Sequence, residues 1–156
     1  MSFRVGIGVD AHALEDGVPL VLGGVRIDHP RRLAGHSDGD VLAHALTDAL
    51  LGAAGLGDIG ALFPSDDEQH RGADSVELLR EAYRRVREAG WMLVNADCIL
   101  VGEEPKIAPH REAMCRVLSD ALGGEVNVRA TTTDRLGFTG RGEGLAAHAV
   151  ALLARA

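Results

Sequence analysis

The chain is expected to fold as an α+β protein of one domain, and three observations predict this. Strand-like and helix-like segments follow in the order β-β-α-α-β-α-β plus a final element of ambiguous type, which is an α+β plan. No linker, low-complexity tract or internal repeat divides the sequence. A length of 156 residues supports one hydrophobic core, and 46% apolar with 25% charged residues is ordinary for a globular domain.

Residues 3–10 alternate in character and predict a strand, and 18–27 predict a second, linked by the turn signal Glu15-Asp16-Gly17. A helix is expected from about Gly39 to Ala54, with Ser37 or Asp38 as N-cap and Gly55 as its stop. Residues 55–73 carry Gly, Pro and Asp throughout and predict a long loop, a length that is often functional. Asp74-Ser75-Val76-Glu77 has capping-box spacing and opens the next helix, which Gly90 stops. Leu79, Tyr83 and Val86 form its inner face, while Arg84, Arg85 and Arg87 are solvated, with Glu81 paired to Arg85. Trp91 to Val101 reads as a strand. Residues 107–122 read as a helix with Met114, Val117, Leu118 and Ala121 inward, ended by Gly123-Gly124. Residues 125–132 alternate as a strand. The segment 144–155 is rich in Ala and Leu, so propensity alone favours a helix there.

Composition excludes several classes. No stretch approaches the roughly 18–20 apolar residues of a membrane span, and the opening Met1-Ser2-Phe3-Arg4-Val5 predicts no signal peptide. Cys98 and Cys115 lack Cys-x-x-Cys spacing and are expected to be reduced thiols of a cytoplasmic protein. A net charge of −7 argues against a nucleic-acid-binding surface. Of the basic residues fifteen are Arg and one, Lys106, is Lys. Codon bias explains the imbalance simply, yet it marks Lys106 as a candidate point charge.

Three constellations could carry chemistry. Asp10 and His12 stand two apart on a strand and so share a face; with His44 in mid-helix they offer two imidazoles and a carboxylate. Three such ligands with an open fourth position suit a catalytic zinc, and would also suit Fe(II). Asp40 and Asp48 lie four residues either side of His44, so either could orient its ring. The plain alternative is a histidine paired with an acid. Next, Ala130-Thr131-Thr132-Thr133-Asp134 leaves a strand and runs into a glycine-rich segment, 136–144. Its hydroxyls and N–H groups suit phosphate oxygens, and Asp134 suits a divalent cation on a diphosphate; a strand end with a flexible turn is the alternative. Finally, His36-Ser37-Asp38 precedes a helix, as an anion site or as simple capping. Gly6-Ile7-Gly8-Val9-Asp10-Ala11 matches the dinucleotide fingerprint, but no helix opens after it, so that reading fails.

Taken together, the sequence resembles the 2-C-methyl-D-erythritol 2,4-cyclodiphosphate synthase family nearly end to end. The resemblance rests on Asp10-Ala11-His12, Gly35-His36-Ser37-Asp38-Gly39-Asp40 through Asp48, Leu56-Gly57-Asp58-Ile59-Gly60 with Phe63-Pro64, and Pro105-Lys106. It continues through Ala130-Thr131-Thr132-Thr133 and Leu136-Gly137-Phe138-Thr139-Gly140-Arg141-Gly142-Glu143-Gly144. It implies a ferredoxin-like α/β sandwich, its sheet packed against helices, assembled as a homotrimer with active sites between chains, and a strand at 144–155. It implies that the 2-phosphate of 4-diphosphocytidyl-2-C-methyl-D-erythritol 2-phosphate attacks the β-phosphorus of the same molecule, releasing CMP. Zinc, or another divalent transition metal, would sit on Asp10, His12 and His44, and Mg²⁺ or Mn²⁺ near Asp134. His36, Thr132 and Asp48 would form the catalytic set, with Ser37 donating to phosphate. Asp58 and Gly60 would hold substrate hydroxyls beside the loop from Phe63 to Asp67. Lys106 would help form the cytidine pocket, with Ala130, Thr131 and Thr133 nearby, and Phe138 and Arg141 would line a cavity on the three-fold axis. Family members generally have Glu where this chain has Asp134, which implies weaker or water-mediated binding of the second cation. Two other readings compete: a metal-dependent phosphohydrolase, and a trimeric small-molecule-binding regulator that needs no metal.

Overall fold

A five-stranded sheet with helices on one face organises the chain, and a computed structural model describes residues 2–35, 37–64 and 74–156. In chain order the elements are β1 (Phe3–Asp16), β2 (Leu20–Leu22), β3 (Val25–Ile27), β4 (Arg31–Leu33), α1 (Val41–Ala54) and α2 (Ile59–Leu62). There follow α3 (Ser75–Glu88), β5 (Trp91–Val101), α4 (Arg111–Leu122), β6 (Glu125–Thr131), α5 (Gly137–Gly140) and β7 (Gly144–Arg155). The sheet order is β4-β1-β7-β5-β6, with β2 and β3 forming a separate hairpin. Only the β5–β6 pair is parallel among these neighbours. The expected mixed α+β architecture, a sheet packed against helices, is what the chain adopts.

The segment of ambiguous type is the central strand. β7 pairs along its length with β1 on one side and β5 on the other, so ladder bonds on both edges override helix propensity. Its inward residues Ala147, Ala149 and Ala151 are buried and small, which lets α1 lie close. That helix is apolar nearly all round, because the sheet covers one side and α3 the other. β1 supplies the closest approach. A Cβ on Gly8 would stand 1.8 Å from the carbonyl oxygen of Ala45, and one on Gly6 2.0 Å from that of Ala49. Only hydrogen at these two positions lets helix backbone rest on strand backbone.

Several expectations change. The first strand runs on to Asp16, pairing Leu14–Asp16 with the short β4 that the sequence reading missed. The span 18–27 is not one strand but a tight hairpin, turned at Gly23 (φ 58°) and Gly24 (φ 75°). Positive φ at both central residues is what a two-residue hairpin turn requires. The N-cap of α1 is Asp40, which accepts from Ala43 N–H, rather than Ser37 or Asp38. Gly55 ends the helix in left-handed conformation as expected. Within the expected loop 55–73, α2 forms one turn capped by Asp58, and residues 65–73 lie outside the described part. The Glu81–Arg85 pair forms at 3.2 Å. A 3-10 turn, Ala108–His110, precedes α4, which ends at Gly123. Cys98 is buried, which pushes its thiol up to about 12, and Cys115 is half-buried; both are free.

The opposite face of the sheet is uncovered in the single chain. There Val5, Ile7 and Val9 are 69%, 66% and 55% exposed, joined by Phe3, Met92, Val94 and Val150. Among the described residues no helix is long and apolar enough to cross a membrane.

Candidate metal centre

Strand alternation puts Gly6, Gly8, Asp10 and His12 on the α1 side of β1. The two glycines bring α1 down onto the strand, and His44, one turn into the helix, meets the two side chains that follow. Asp10 Oδ2 lies 3.0 Å from His12 Nε2 and 3.0 Å from His44 Nδ1, and the two ring nitrogens are 3.3 Å apart. A tetrahedral ion about 2.0–2.1 Å from each donor requires donor–donor edges of roughly 3.3 Å. The observed triangle therefore fits one divalent ion with an outward position left for a ligand, and two imidazoles with a carboxylate are the right donors.

The electrostatics agree. Burial alone would raise the Asp10 carboxyl, but hydrogen bonds from His12 and His44 hold it at about 2. The bond to Asp10 raises His12 against the opposing effect of burial. Asp10 is thus held as a carboxylate by partners on both sides, a role that a bound cation also fills.

His44 is oriented differently from the sequence expectation. Its second nitrogen, Nε2, lies 2.7 Å from Ser75 Oγ and 3.1 Å from Ser37 Oγ, not against Asp40 or Asp48. Asp40 is fully buried at the N-cap, where it accepts from Gly23, Gly24 and Ala43 N–H; burial, with the nearby Asp38 charge, pushes it up to about 6. Asp48 accepts from Ile59 N–H at 2.7 Å and so ties α2 to α1; its carboxyl is raised mainly by burial. Helical spacing aligned the three residues, but each faces a different neighbour. Ser37, expected to donate to phosphate, has its hydroxyl within hydrogen-bond distance of His44 and Ser75.

The second cluster surrounds a cavity of about 280 Å³ at the ends of β5 and β6. Lys106, Ala130, Thr131 and Thr132 line it as a group, together with Ile107 and Arg111. Arg111 was missed; its one sequence signal is a second cation five residues after Lys106. Thr133 is turned away, its hydroxyl donating to Leu136 C=O and meeting Thr139. Asp134 (φ 53°) and Arg135 (φ 67°) make a left-handed turn, which Gly140 accommodates by packing against the Arg135 backbone. Asp134 itself is exposed beside Thr132, at 3.4 Å. Phe138 is exposed, and Arg141 is paired with Glu143. Asp58 caps α2 beside Gly60, with Phe63 just beyond that helix. His36 and Asp67 lie outside the described residues.

Both clusters open at one end of the sheet. His12 is opposite Leu145 on β7, Ala146 is opposite Val101 on β5, and Val101 is opposite Thr131 on β6. Three strand spacings separate them, about 14 Å.

Known proteins resemble the chain in sequence and in fold. The chain is 61% identical to the 2-C-methyl-D-erythritol 2,4-cyclodiphosphate synthase of Rubrobacter xylanophilus, over 99% of this chain and 97% of that one. It superposes with a TM-score of 0.95 and 46% identity on the bifunctional IspDF of Campylobacter jejuni, covering 99% of this chain but 43% of that longer one. A solved 2C-methyl-D-erythritol-2,4-cyclodiphosphate synthase in its CDP-bound form matches with a TM-score of 0.89 and 43% identity, over 97% of this chain and 100% of that one. The sequence profile of the YgbB family matches residues 3–154, and the chain belongs to that family.

Proposed function

We propose that the chain catalyses the cyclisation for which its relatives are named. It converts 4-diphosphocytidyl-2-C-methyl-D-erythritol 2-phosphate to 2-C-methyl-D-erythritol 2,4-cyclodiphosphate and releases CMP, a step of non-mevalonate isoprenoid synthesis. The observation that carries this reading is the convergence of Asp10, His12 and His44 on one ion-sized point.

The attacking phosphate and the departing CMP belong to one molecule, so the protein must mainly fold the substrate back and neutralise charge. Asp10, His12 and His44 would hold a zinc or similar divalent ion; when bound, it supplies Lewis acidity and a template for phosphate oxygens. Lys106 and Ala130–Thr132 line the cavity that would take the cytidine end. Thr132, with His36, would donate to the phosphoryl group in transfer. Asp134 would hold Mg²⁺ or Mn²⁺, its exposed carboxylate reaching one methylene less than the usual Glu. Asp58 and Gly60 would bind the erythritol hydroxyls, and Phe63 and Asp67 would also bind substrate. Asp48 acts through its bond to Ile59, which places α2.

The reading includes a single catalytic domain of ferredoxin-like type, a cytoplasmic location and a homotrimer whose active sites lie between chains. The uncovered stripe of Val5, Ile7 and Val9 supports the trimer, because apolar side chains so exposed in one chain gain most from burial against copies. Ile7→Asp is expected to dissociate the trimer on light scattering; an unchanged mass would place the interface elsewhere.

Metal analysis of purified protein, together with an assay for CMP, tests the function. Stoichiometric CMP from a zinc-loaded protein is expected. Release of inorganic phosphate would make it a phosphohydrolase, and a zinc-free protein that binds ligand without turnover would make it a regulator. Thr132→Ala is expected to lower kcat on the order of 10²-fold while changing CDP affinity far less; equal losses in both would remove its transition-state role.

A further inference from the structure

We infer that Ser75, held by Asp38, is the positioning residue that fixes the His44 ring for metal binding; this rests on the metal reading above. His44 can ligate only through Nδ1, the nitrogen that faces Asp10 and His12. Its proton must then sit on Nε2, in a buried place where an unmet N–H is costly. Two hydroxyls surround that nitrogen, Ser75 Oγ at 2.7 Å and Ser37 Oγ at 3.1 Å.

With Nδ1 left free to ligate, the hydrogens on these groups fall into a consistent arrangement. A carboxylate only accepts, and Asp38 takes both donors of Ser75, the backbone N–H at 3.0 Å and the hydroxyl through a short bond. The only proton on Ser75 Oγ is therefore spent on Asp38. Its lone pairs face His44 Nε2–H and the hydroxyl of Ser37, 3.2 Å away. The chain Nε2–H to Ser75 to Asp38 runs in one direction and leaves the Nδ1 lone pair aimed at the ion. A hydroxyl placed between imidazole and carboxylate does the work of the direct carboxylate found behind many metal-bound histidines. Ser75 is completely buried and is the first residue of α3, so docking of α3 on α1 sets the ring.

Zn²⁺ is the probe, with affinity measured by chelator competition on the full chain. The His44 Nε2–H resonance of the zinc-loaded protein is the second readout. Ser75→Ala is expected to weaken zinc roughly ten- to a hundredfold and to abolish exchange protection of that proton, while Ser75→Thr keeps both. A merely structural Ser75 would lower Tm in Ser75→Ala and leave zinc affinity and the proton unchanged, which overturns the inference. Should Ser75→Ala fail to fold, the wild-type resonance decides, because a His44 Nε2–H in rapid exchange with water refutes the relay. Wild-type protein with no zinc affinity would instead strike the metal reading itself.

Discussion

His44→Ala is expected to leave a folded protein that carries almost no zinc and turns over at least about 10³-fold more slowly. A metal stabilises developing phosphoryl charge by several kcal/mol, and each 1.36 kcal/mol is about a factor of ten. Asp10 and His12 alone offer two donors, too few to hold an ion tightly. The ring makes side-chain bonds only to Asp10, His12, Ser37 and Ser75 among the described residues, so its loss leaves the helix packing of Val41, Ala45 and Leu46 in place. Metal content by mass spectrometry, CMP release and circular dichroism check the three parts. Full turnover with empty metal would refute the assignment.

Gly8→Ala is expected to cost at least the roughly 3 kcal/mol that marks the upper end of overpacking, although it adds a single methyl group. The new carbon would fall 1.8 Å from the Ala45 carbonyl oxygen and 2.8 Å from the Ala49 nitrogen, both backbone atoms that no rotamer change can move aside. Either α1 lifts from the sheet or β1 bends, and both separate His44 from Asp10. Zinc affinity should therefore fall along with the denaturation midpoint. At Gly55 an added Cβ would meet nothing within 4 Å, so Gly55→Ala bears only the strain of its positive φ and is a useful control. A Gly8→Ala protein as stable as wild type would mean that strand and helix are not in backbone contact.

How much of this could be read from the residues depended on whether the deciding contact was local. Asp10 and His12 sharing a face follows from strand geometry, and both were legible. That His44 joins them depends on how α1 sits against β1, which its own spacing does not reveal. The information was present in Gly6 and Gly8, first seen as a failed dinucleotide fingerprint; their role is close packing. The hairpin at Gly23 and Gly24 was hidden because the apolar residues on either side read as one continuous strand. β7 contradicted its own propensity because both its edges are paired. Asp40 and Asp48 misled for a different reason: one helix face can look onto several neighbours. Ser75 read as a helix start, and only the packing of α3 on α1 exposes its contact with His44.

The contact between β1 and α1 also acts as a pair of matched rulers. One strand repeat, Gly6 to Gly8, advances about 6.6–6.8 Å, and one helix step, Ala49 to Ala45, retreats about 6.0 Å. The near-commensurate spacings interlock as teeth, and one strand repeat further on the Asp10 side chain meets His44. Slippage by one notch would bring a side chain where the backbone has no room for it. The alignment that lets the chain close is thus the same one that assembles the ligands, so correct folding and metal competence are a single geometric event.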